Sequence, residues 1–189
     1  PSFGSAVIGR TLQAAGYNVA IVPQPNWQDD LRDFRKFGAP RLFFGISAGA
    51  MDSMVNHYTA ARRRRSDDAY TPGGRHGARP DYPTIVYSEI LRRLFPDTPI
   101  VVGGIEASLR RLSHYDYWQD QLRPSILSDC PADILVYGMG EKPILEIAKR
   151  IAQGESIADL KSVMQSAVKL PGEAQPEKAD SENIILHSF

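Results

Sequence analysis

Two apolar runs of this sequence, residues 100–102 and 134–137, each end in glycines with a carboxylate close behind. The residues that follow them are Gly103, Gly104, Glu106 and Ser108 after the first run, and Gly138, Gly140 and Glu141 after the second. Glycine lets the backbone turn sharply and approach a flat or phosphate-bearing ligand, because no Cβ intervenes. A carboxylate there can accept a hydrogen bond from a ligand or cap the next helix. The pattern predicts a small-molecule site, and the alternative is that the glycines only form strand-to-helix turns.

Aromatic and ionisable residues follow the first glycine pair in the segment SHYDYWQD. The candidate binding residues in this segment are His114, Tyr115, Asp116 and Trp118. Their rings could stack on a flat ligand or on a neighbouring domain, with Asp116 and His114 forming a polar pair. A buried aromatic plug with satisfied hydroxyl groups is the other interpretation, and the residue types alone do not separate the two.

Several familiar kinds of site are not predicted. Neither glycine pair has the GxGxxG spacing of a dinucleotide fold or the lysine of a phosphate loop. The four histidines show no zinc spacing, and Ser47, Asp52 and His57 lack the nucleophile-elbow sequence of a hydrolase. Cys130 is the single cysteine, which excludes an intrachain disulfide and fits a reducing compartment.

Four consecutive arginines, Arg62–Arg65, form the one strong basic block of the sequence. They could clamp a nucleic-acid or cofactor phosphate, or serve an RNA- or protein-interaction module. Asp67 and Asp68 follow at once, and pairing with these acids or a solvated helix end is the favoured interpretation. Nucleic acid is therefore not expected as a partner.

The elements that must position these residues alternate between strand and helix. Helices are predicted at residues 5–15, 29–38, 51–61, 84–95, 143–153 and 157–165, and strands at 19–22, 41–46, 100–102 and 134–137. Solid apolar strands joined by helices predict an α/β fold in three layers, a mostly parallel sheet with helices on both faces, Rossmann-like or flavodoxin-like. Ligands of such folds bind beyond the carboxyl ends of the strands, where both glycine pairs fall. Because a right-handed β–α–β unit needs a strand before its helix, the first strand is expected upstream of Pro1.

Composition bounds the domain organisation. The chain has 189 residues, 42% of them hydrophobic, enough for one domain with its own core. That domain is predicted at residues 1–168, with an exposed excursion at 62–83, a linker at 169–183 and the start of a following region at 184–189. Basic and acidic residues both number 22, so no domain-wide attraction to nucleic acid or membrane is expected. No apolar run is long enough to span a bilayer, and a cytoplasmic location is predicted.

Longer stretches of the sequence resemble a known family. They are LFFGISAGAMDSMVNHYTAARRRRSDDAYTPGG, GGIEASLRRLSHYDYWQD and RPSILSDCPADILVYGMGE. These stretches are similar to the YgiQ-type radical SAM proteins, a bacterial family of uncharacterised function, over residues 1–154. The opening PSFGSAVIGR and the two glycine turns also resemble the cobalamin-binding-like domain that precedes the catalytic barrel of many radical SAM proteins.

The resemblance implies an N-terminal accessory domain, not catalytic alone, that presents a substrate or cofactor to a downstream barrel of the same chain. It implies an iron–sulfur cluster and SAM in the full-length protein, although the CxxxCxxC loop that would hold the cluster is not in this chain. Cobalamin is implied by the domain type, but the DxHxxG histidine loop is missing, and Ile105-Glu106 stand where related domains often carry histidine. The fragment is therefore expected to bind no cofactor by itself, with a genuine cobalamin-binding domain as the alternative.

Overall fold

The computed structural model describes residues 3–169. Its helices are α1 (Phe3–Ala14), α2 (Arg32–Arg35), α3 (Ser53–His57), α4 (Pro83–Leu94), α5 (Gly104–Leu109), α6 (Ile126–Asp129) and α7 (Glu141–Ala152), with short 3-10 turns at Pro72–Gly74 and Ile157–Ser162. Its strands are β1 (Phe44–Ser47), β2 (Ile100–Gly103), β3 (His114–Asp116), β4 (Gln121–Arg123), β5 (Ile134–Val136) and β6 (Ser166–Val168).

Four of these strands form one sheet in the order β1, β2, β5, β6. The first three are parallel, whereas β6 runs antiparallel to β5. Val101 of β2 lies between Gly45 and Ile134 in the register and is buried. The central strands are apolar throughout because helices cover both of their faces. A separate antiparallel hairpin joins β3 to β4.

Two apolar clusters fill the two faces of the sheet. On one face α1 and α7 pack through Leu12, Ile144 and Ile147. On the other face α4 and α6 pack through Leu91 and Ile126. Each fully buried side chain of this size contributes about 1.5–3 kcal/mol relative to exposure. Helices therefore cover both faces of a mostly parallel sheet, and the predicted three-layer, Rossmann-like α/β fold is confirmed.

The strand predicted at residues 19–22 is not formed. These residues make no strand hydrogen bonds, and Val19 and Ile21 instead lie against α1, where a Cβ on Gly9 would come within 3.1 Å of Ile21 Cδ1. A run of β-branched residues becomes a strand only beside a partner, and within residues 3–169 β1 has no neighbour on its outer side. The strand expected upstream of Pro1 stays an expectation.

Other predicted elements are present with different bounds. Asp29 and Asp30 accept hydrogen bonds from the backbone at the start of α2, as a helix start requires, but α2 has only four residues. The helix predicted at 157–165 is a 3-10 turn, and a capping box between Ser156 and Asp159 lies at its start. The sequence did not predict α5, α6, β6 or the β3–β4 hairpin. Of the linker predicted at 169–183 only Lys169 is described, and the region predicted at 184–189 lies outside the described residues.

Candidate functional site

The carboxyl ends of β1, β2 and β5 meet along one edge of the sheet, which we call the rim and define by Ser47, Gly104, Ser108 and Gly138. The backbone N–H of Gly138 donates to Ser108 Oγ at 3.3 Å, and Gly104 lies against Ser47. Gly104 and Gly138 are both exposed. The two glycine turns thus lie side by side, in the position where open α/β sheets bind ligands.

The left-handed backbone conformation of Gly104 and Gly138 is explained by packing within the domain. Gly104 has a φ of +81°, and a Cβ there would lie 2.6 Å from Ser47 Oγ. Gly138 has a φ of +68°, and its Cβ would lie 3.2 Å from Gln165 Nε2. Glycine at residue 104 is therefore required by the backbone conformation and by the close approach of Ser47. That geometry agrees with the strand-to-helix turn interpretation, and it leaves the exposed surface of both turns open to a ligand.

The two acids after the glycine turns have different environments. Glu106 is fully buried, and its carboxylate accepts hydrogen bonds from Ser53 N (3.0 Å), Ser53 Oγ (2.6 Å) and Thr84 N (3.1 Å). It thereby ties the first residues of α3 and α4 to α5. Glu141 begins α7 directly after Gly140 and is half-buried. A carboxylate at this position stabilises the helix, because its negative charge lies at the positive end of the helix dipole. Only Glu141 retains a surface that a ligand could reach.

Asp116 and His114 line a small cavity beside the rim, together with Tyr82 and Arg110. Its volume of about 20 Å³ has room for one water and not for a flat ligand. Asp116 accepts hydrogen bonds from Tyr82 Oη at 2.6 Å and from two backbone N–H groups. Burial raises the pKa of Asp116, but these hydrogen bonds outweigh burial and hold the pKa below its ordinary value. His114 Nδ1 lies 3.1 Å from the carbonyl oxygen of Leu112, so the predicted His114–Asp116 pair is not formed.

The aromatic residues of the same segment differ in burial and in their contacts. Tyr115 is exposed, and its hydroxyl donates to Asp120. Trp118 is half-buried and packs edge-to-face on Tyr117, with 5.6 Å between the ring centroids. Its Nε1 is buried and has no hydrogen-bond partner. The segment is therefore not a fully buried plug, and its exposed rings are those of Tyr115 and Tyr117.

Two buried ion pairs, which the sequence does not predict, join residues 52–79 to one another and to α5. Asp52 caps α3 and pairs with Arg110 of the α5 C-terminus. Asp68 pairs with Arg79, with Oδ2 3.0 Å from Nε. All four side chains are buried. The pattern Asp52-Ser53 before an apolar helix was a usable N-cap signal. Nothing in the local sequence marks Arg110 as the partner of Asp52, or Arg79 as the partner of Asp68.

A carboxylate–histidine pair lies in the same segment. His57 Nδ1 is 2.7 Å from Asp81 Oδ1, and Tyr58 Oη donates to the other oxygen of Asp81 at 2.7 Å. The hydrogen bond from His57 is the main reason that the pKa of Asp81 lies below its ordinary value. His57 is buried, and its Nε2 has no hydrogen-bond partner. Within residues 3–169 no group of three His, Cys, Asp or Glu side chains is placed to hold a metal ion.

Exposed apolar side chains collect at the rim. α5 contacts the ends of β1, β2 and β5 and buries Glu106 and Ala107 beneath it. Five apolar residues of the rim and its flanking turns are between 44 and 78% exposed: Ile105, Leu109, Leu112, Met139 and Met164. Met139 lies between the two glycines of the second turn, and Met164 precedes Gln165, which reaches Gly138. We call these five residues the apolar rim patch.

The arginine block does not pair with Asp67 and Asp68, which was one of the two predicted arrangements. Asp68 is occupied by Arg79, and the side chain of Asp67 accepts a hydrogen bond from Ser66. Among the described residues, Arg62–Arg65 form no salt bridge to a carboxylate. All four arginines are exposed.

The sequence of the chain matches one known protein family over its whole length. The family described as "Radical SAM N-terminal" matches residues 1–189. The chain belongs to the radical SAM N-terminal family. The resemblance to radical SAM proteins, inferred from the long motifs, is thereby confirmed.

The relatives of this radical SAM N-terminal domain include bacterial proteins that share the name UPF0313 protein. The chain is 65% identical over 186 residues to the UPF0313 protein of Porphyromonas gingivalis, covering 98% of this chain and 29% of that protein. It is 69% identical over 153 residues to the UPF0313 protein of Bacteroides thetaiotaomicron, covering 81% of this chain and 25% of that protein. A UPF0313 protein of Geobacter sulfurreducens is 53% identical over 176 residues, 93% of this chain and 29% of that protein. The chain thus spans between a quarter and a third of these relatives, and no solved structure matches it.

The residues of the radical SAM N-terminal domain do not fit an iron–sulfur cluster. A radical SAM cluster takes three thiolates, and this chain has only Cys130, which is buried beside the sheet and has a pKa raised by that burial. The rim also fits cobalamin poorly, because neither glycine turn carries a histidine and Glu106 is fully engaged. No helix within residues 3–169 is long and apolar enough to cross a bilayer.

Proposed function

We propose that this domain is the N-terminal accessory domain of a radical SAM iron–sulfur protein. It is not catalytic alone, and its rim presents a substrate or cofactor to a downstream barrel of the same chain. The family match supports the protein class, and the short share of each relative that the chain covers supports a further region. In this proposal the downstream region supplies the three cluster thiolates and the SAM site, since Cys130 cannot.

The apolar rim patch is the observation that carries the proposal. Exposed apolar side chains scattered singly are ordinary, but a cluster of them marks an interaction surface. Here the cluster lies at the glycine turns, where the fold class binds its ligands. A companion domain seated on Leu109 and Met139 would remove the patch from water and close the space over Gly104 and Gly138.

The path of the chain permits this arrangement. β6 runs antiparallel to β5, and Lys169 N donates to Asp133 O at the start of β5. The chain therefore leaves the sheet at the end opposite the rim. Residues 170–183, the predicted linker, could span at most about 46 Å when extended at about 3.3 Å per residue. The strands of the sheet have three or four residues and are at most about 13 Å long, so this reach allows a following domain to return over the rim.

A photo-crosslinking experiment in the full-length protein tests the proposal. A photoreactive phenylalanine analogue placed at Met139 should crosslink to peptides downstream of residue 189, because Met139 lies in the proposed interface. The matched control is the same analogue at Phe37, an exposed apolar residue after α2 and away from the rim, which should give no such crosslink. Equal crosslinking from both positions, or none from Met139, would contradict a downstream domain seated on the rim.

A further inference from the structure

The arginine block is held on an ordered hairpin. Thr59 N donates to Arg63 O at 2.8 Å, Arg65 N donates to His57 O at 2.8 Å, and Arg62 N donates to Thr59 O at 2.9 Å. The base of the hairpin is held by the partly buried His57–Asp81 hydrogen bond. The four arginine side chains therefore project from a defined turn, which we call the arginine hairpin (residues 57–65).

The charge of this hairpin is not neutralised within the domain. Several arginines of the described chain have carboxylate partners, as Arg79 has Asp68 and Arg123 has Asp129. Arg62–Arg65 have none in the same part of the structure, because Asp68 is turned inward to Arg79. Arg64 lies near Asp81, where its charge is one of the smaller causes that lower the pKa of that carboxyl group. Four adjacent positive charges thus face solvent on a protein of zero formal net charge.

Exposed aromatic rings lie directly beside the arginines. The guanidinium carbon of Arg62 is 4.6 Å from the ring centroid of Tyr117, and Tyr117 Oη donates to Ala60 O at 2.6 Å. Arg62 also acts on Tyr115: the hydrogen bond to Asp120 raises the pKa of Tyr115, and the charge of Arg62 opposes that rise. Tyr115 and Tyr117 are 54% and 42% exposed. The fold thus brings two rings from the β3 segment against a basic turn that is more than fifty residues earlier in the chain.

We infer that the arginine hairpin, with Tyr115 and Tyr117, is a binding surface for single-stranded nucleic acid. Proteins that bind single strands combine a basic track for the phosphates with aromatic side chains on which bases stack. Unpaired bases can stack on the exposed tyrosine rings, whereas bases within a duplex cannot reach them. This inference is independent of the proposed role of the rim, because the hairpin and the apolar rim patch share no residue.

Fluorescence anisotropy of the full-length protein with labelled single-stranded oligonucleotides of about 12 residues tests the inference. With three to four phosphates contacted, raising the salt from about 50 to 200 mM should weaken binding by about 20- to 50-fold. The triple variant Arg63→Gln, Arg64→Gln, Arg65→Gln should lower the slope of log affinity against log salt by about 2. Its matched control is Arg10→Gln, Arg35→Gln, Arg93→Gln, which removes the same charge from exposed arginines elsewhere and should change affinity less than about 2-fold, as ordinary surface changes do.

Two further measurements separate nucleic-acid recognition from simple anion binding. The variant Tyr115→Ala, Tyr117→Ala should weaken single-strand binding by at least about 5-fold, because each stacked base is lost. The same variant should leave the binding of inorganic polyphosphate unchanged. Equal losses in the two arginine triples, an unaffected tyrosine variant, duplex binding as tight as single-strand binding, or no binding at the lower salt concentration would each overturn the inference.

Discussion

Asp68 is the buried anchor of the segment that follows the arginine hairpin, and replacing it with asparagine should destabilise that segment. Its Oδ1 accepts hydrogen bonds from Asn56 Nδ2 at 2.8 Å and Tyr70 N at 2.9 Å. Its Oδ2 accepts from Arg79 Nε and Thr71 Oγ1, both at 3.0 Å. In Asp68→Asn one acceptor oxygen becomes an NH₂ group that faces donors, and buried Arg79 loses its counter-charge.

The size of the effect follows from the carboxylate's environment. Burial raises the pKa of Asp68, but hydrogen bonds from Tyr70, Arg79 and Asn56 hold it at about 2, against an ordinary value of 3.8. This difference corresponds to about 2.5 kcal/mol in favour of the ionised form in the fold. Removing one partner of a buried ion pair costs about 3–5 kcal/mol in general. We expect Asp68→Asn to lower the free energy of unfolding by about 3 kcal/mol at pH 7.

The pH dependence of this loss has a definite sign. Because the pKa of Asp68 is lower in the fold than in the unfolded chain, its contribution is complete above about pH 4. The contribution is lost as the pH falls toward about 2, where the folded carboxylate takes up its proton. The difference in stability between the wild type and Asp68→Asn should therefore shrink over that range.

Urea unfolding followed by circular dichroism measures the free energy, and hydrogen exchange at Tyr70 and Gly74 reports the local segment. Asp67→Asn is the matched control, because Asp67 is exposed and its side chain accepts a hydrogen bond from Ser66. That control should change stability by no more than about 0.5 kcal/mol. The reasoning is refuted if the two variants are equally stable, or if the gap between wild type and Asp68→Asn widens below pH 4.

Three further predictions concern the residues around the rim. Glu106→Gln should cost about 2–3 kcal/mol in urea unfolding, since an NH₂ group then faces buried donors; a loss below about 0.5 kcal/mol, the size of an ordinary surface change, would argue against its role in joining α3 and α4. Gly104→Ala should destabilise the fold more than Gly138→Ala, because its Cβ would lie 2.6 Å from Ser47 Oγ rather than near a flexible glutamine end; the reverse order in thermal unfolding would contradict this packing. Cys130→Ala should leave the iron content of the reconstituted full-length protein unchanged, because Cys130 is buried with a raised pKa; loss of iron would make it a cluster ligand.

The three parallel strands of the sheet could be predicted from the sequence because their signals are local. Residues 100–102 and 134–137 are solid apolar runs between turn residues, and the structure has strands at both places. Residues 19–22 carry the same local signal, but no strand lies beside them in the described part of the sheet. A segment forms a strand only when it pairs with another strand, so the local composition of residues 19–22 does not determine whether they form one.

The candidate site was predictable in position but not in its contacts. The glycine turns lie together on one rim because parallel strands end on the same side, which follows from the fold class. The burial of Glu106 depends on α5 lying across the strand ends, and that helix has only six residues. The pairing of Asp68 with Arg79, rather than with Arg62–Arg65, depends on the path of a loop. Such long-range choices leave no periodic pattern in the sequence.

Hydrogen exchange of the rim in the full-length protein tests the account most directly. A protease site inserted within residues 170–183 allows the same protein to be measured before cleavage and after separation of the downstream region. Exchange across residues 104–112 should be slower before cleavage, because the downstream region covers α5, while exchange across α7 should stay the same and report an intact fold. Identical exchange of residues 104–112 in both states would show that the rim is not the surface that meets the rest of the protein.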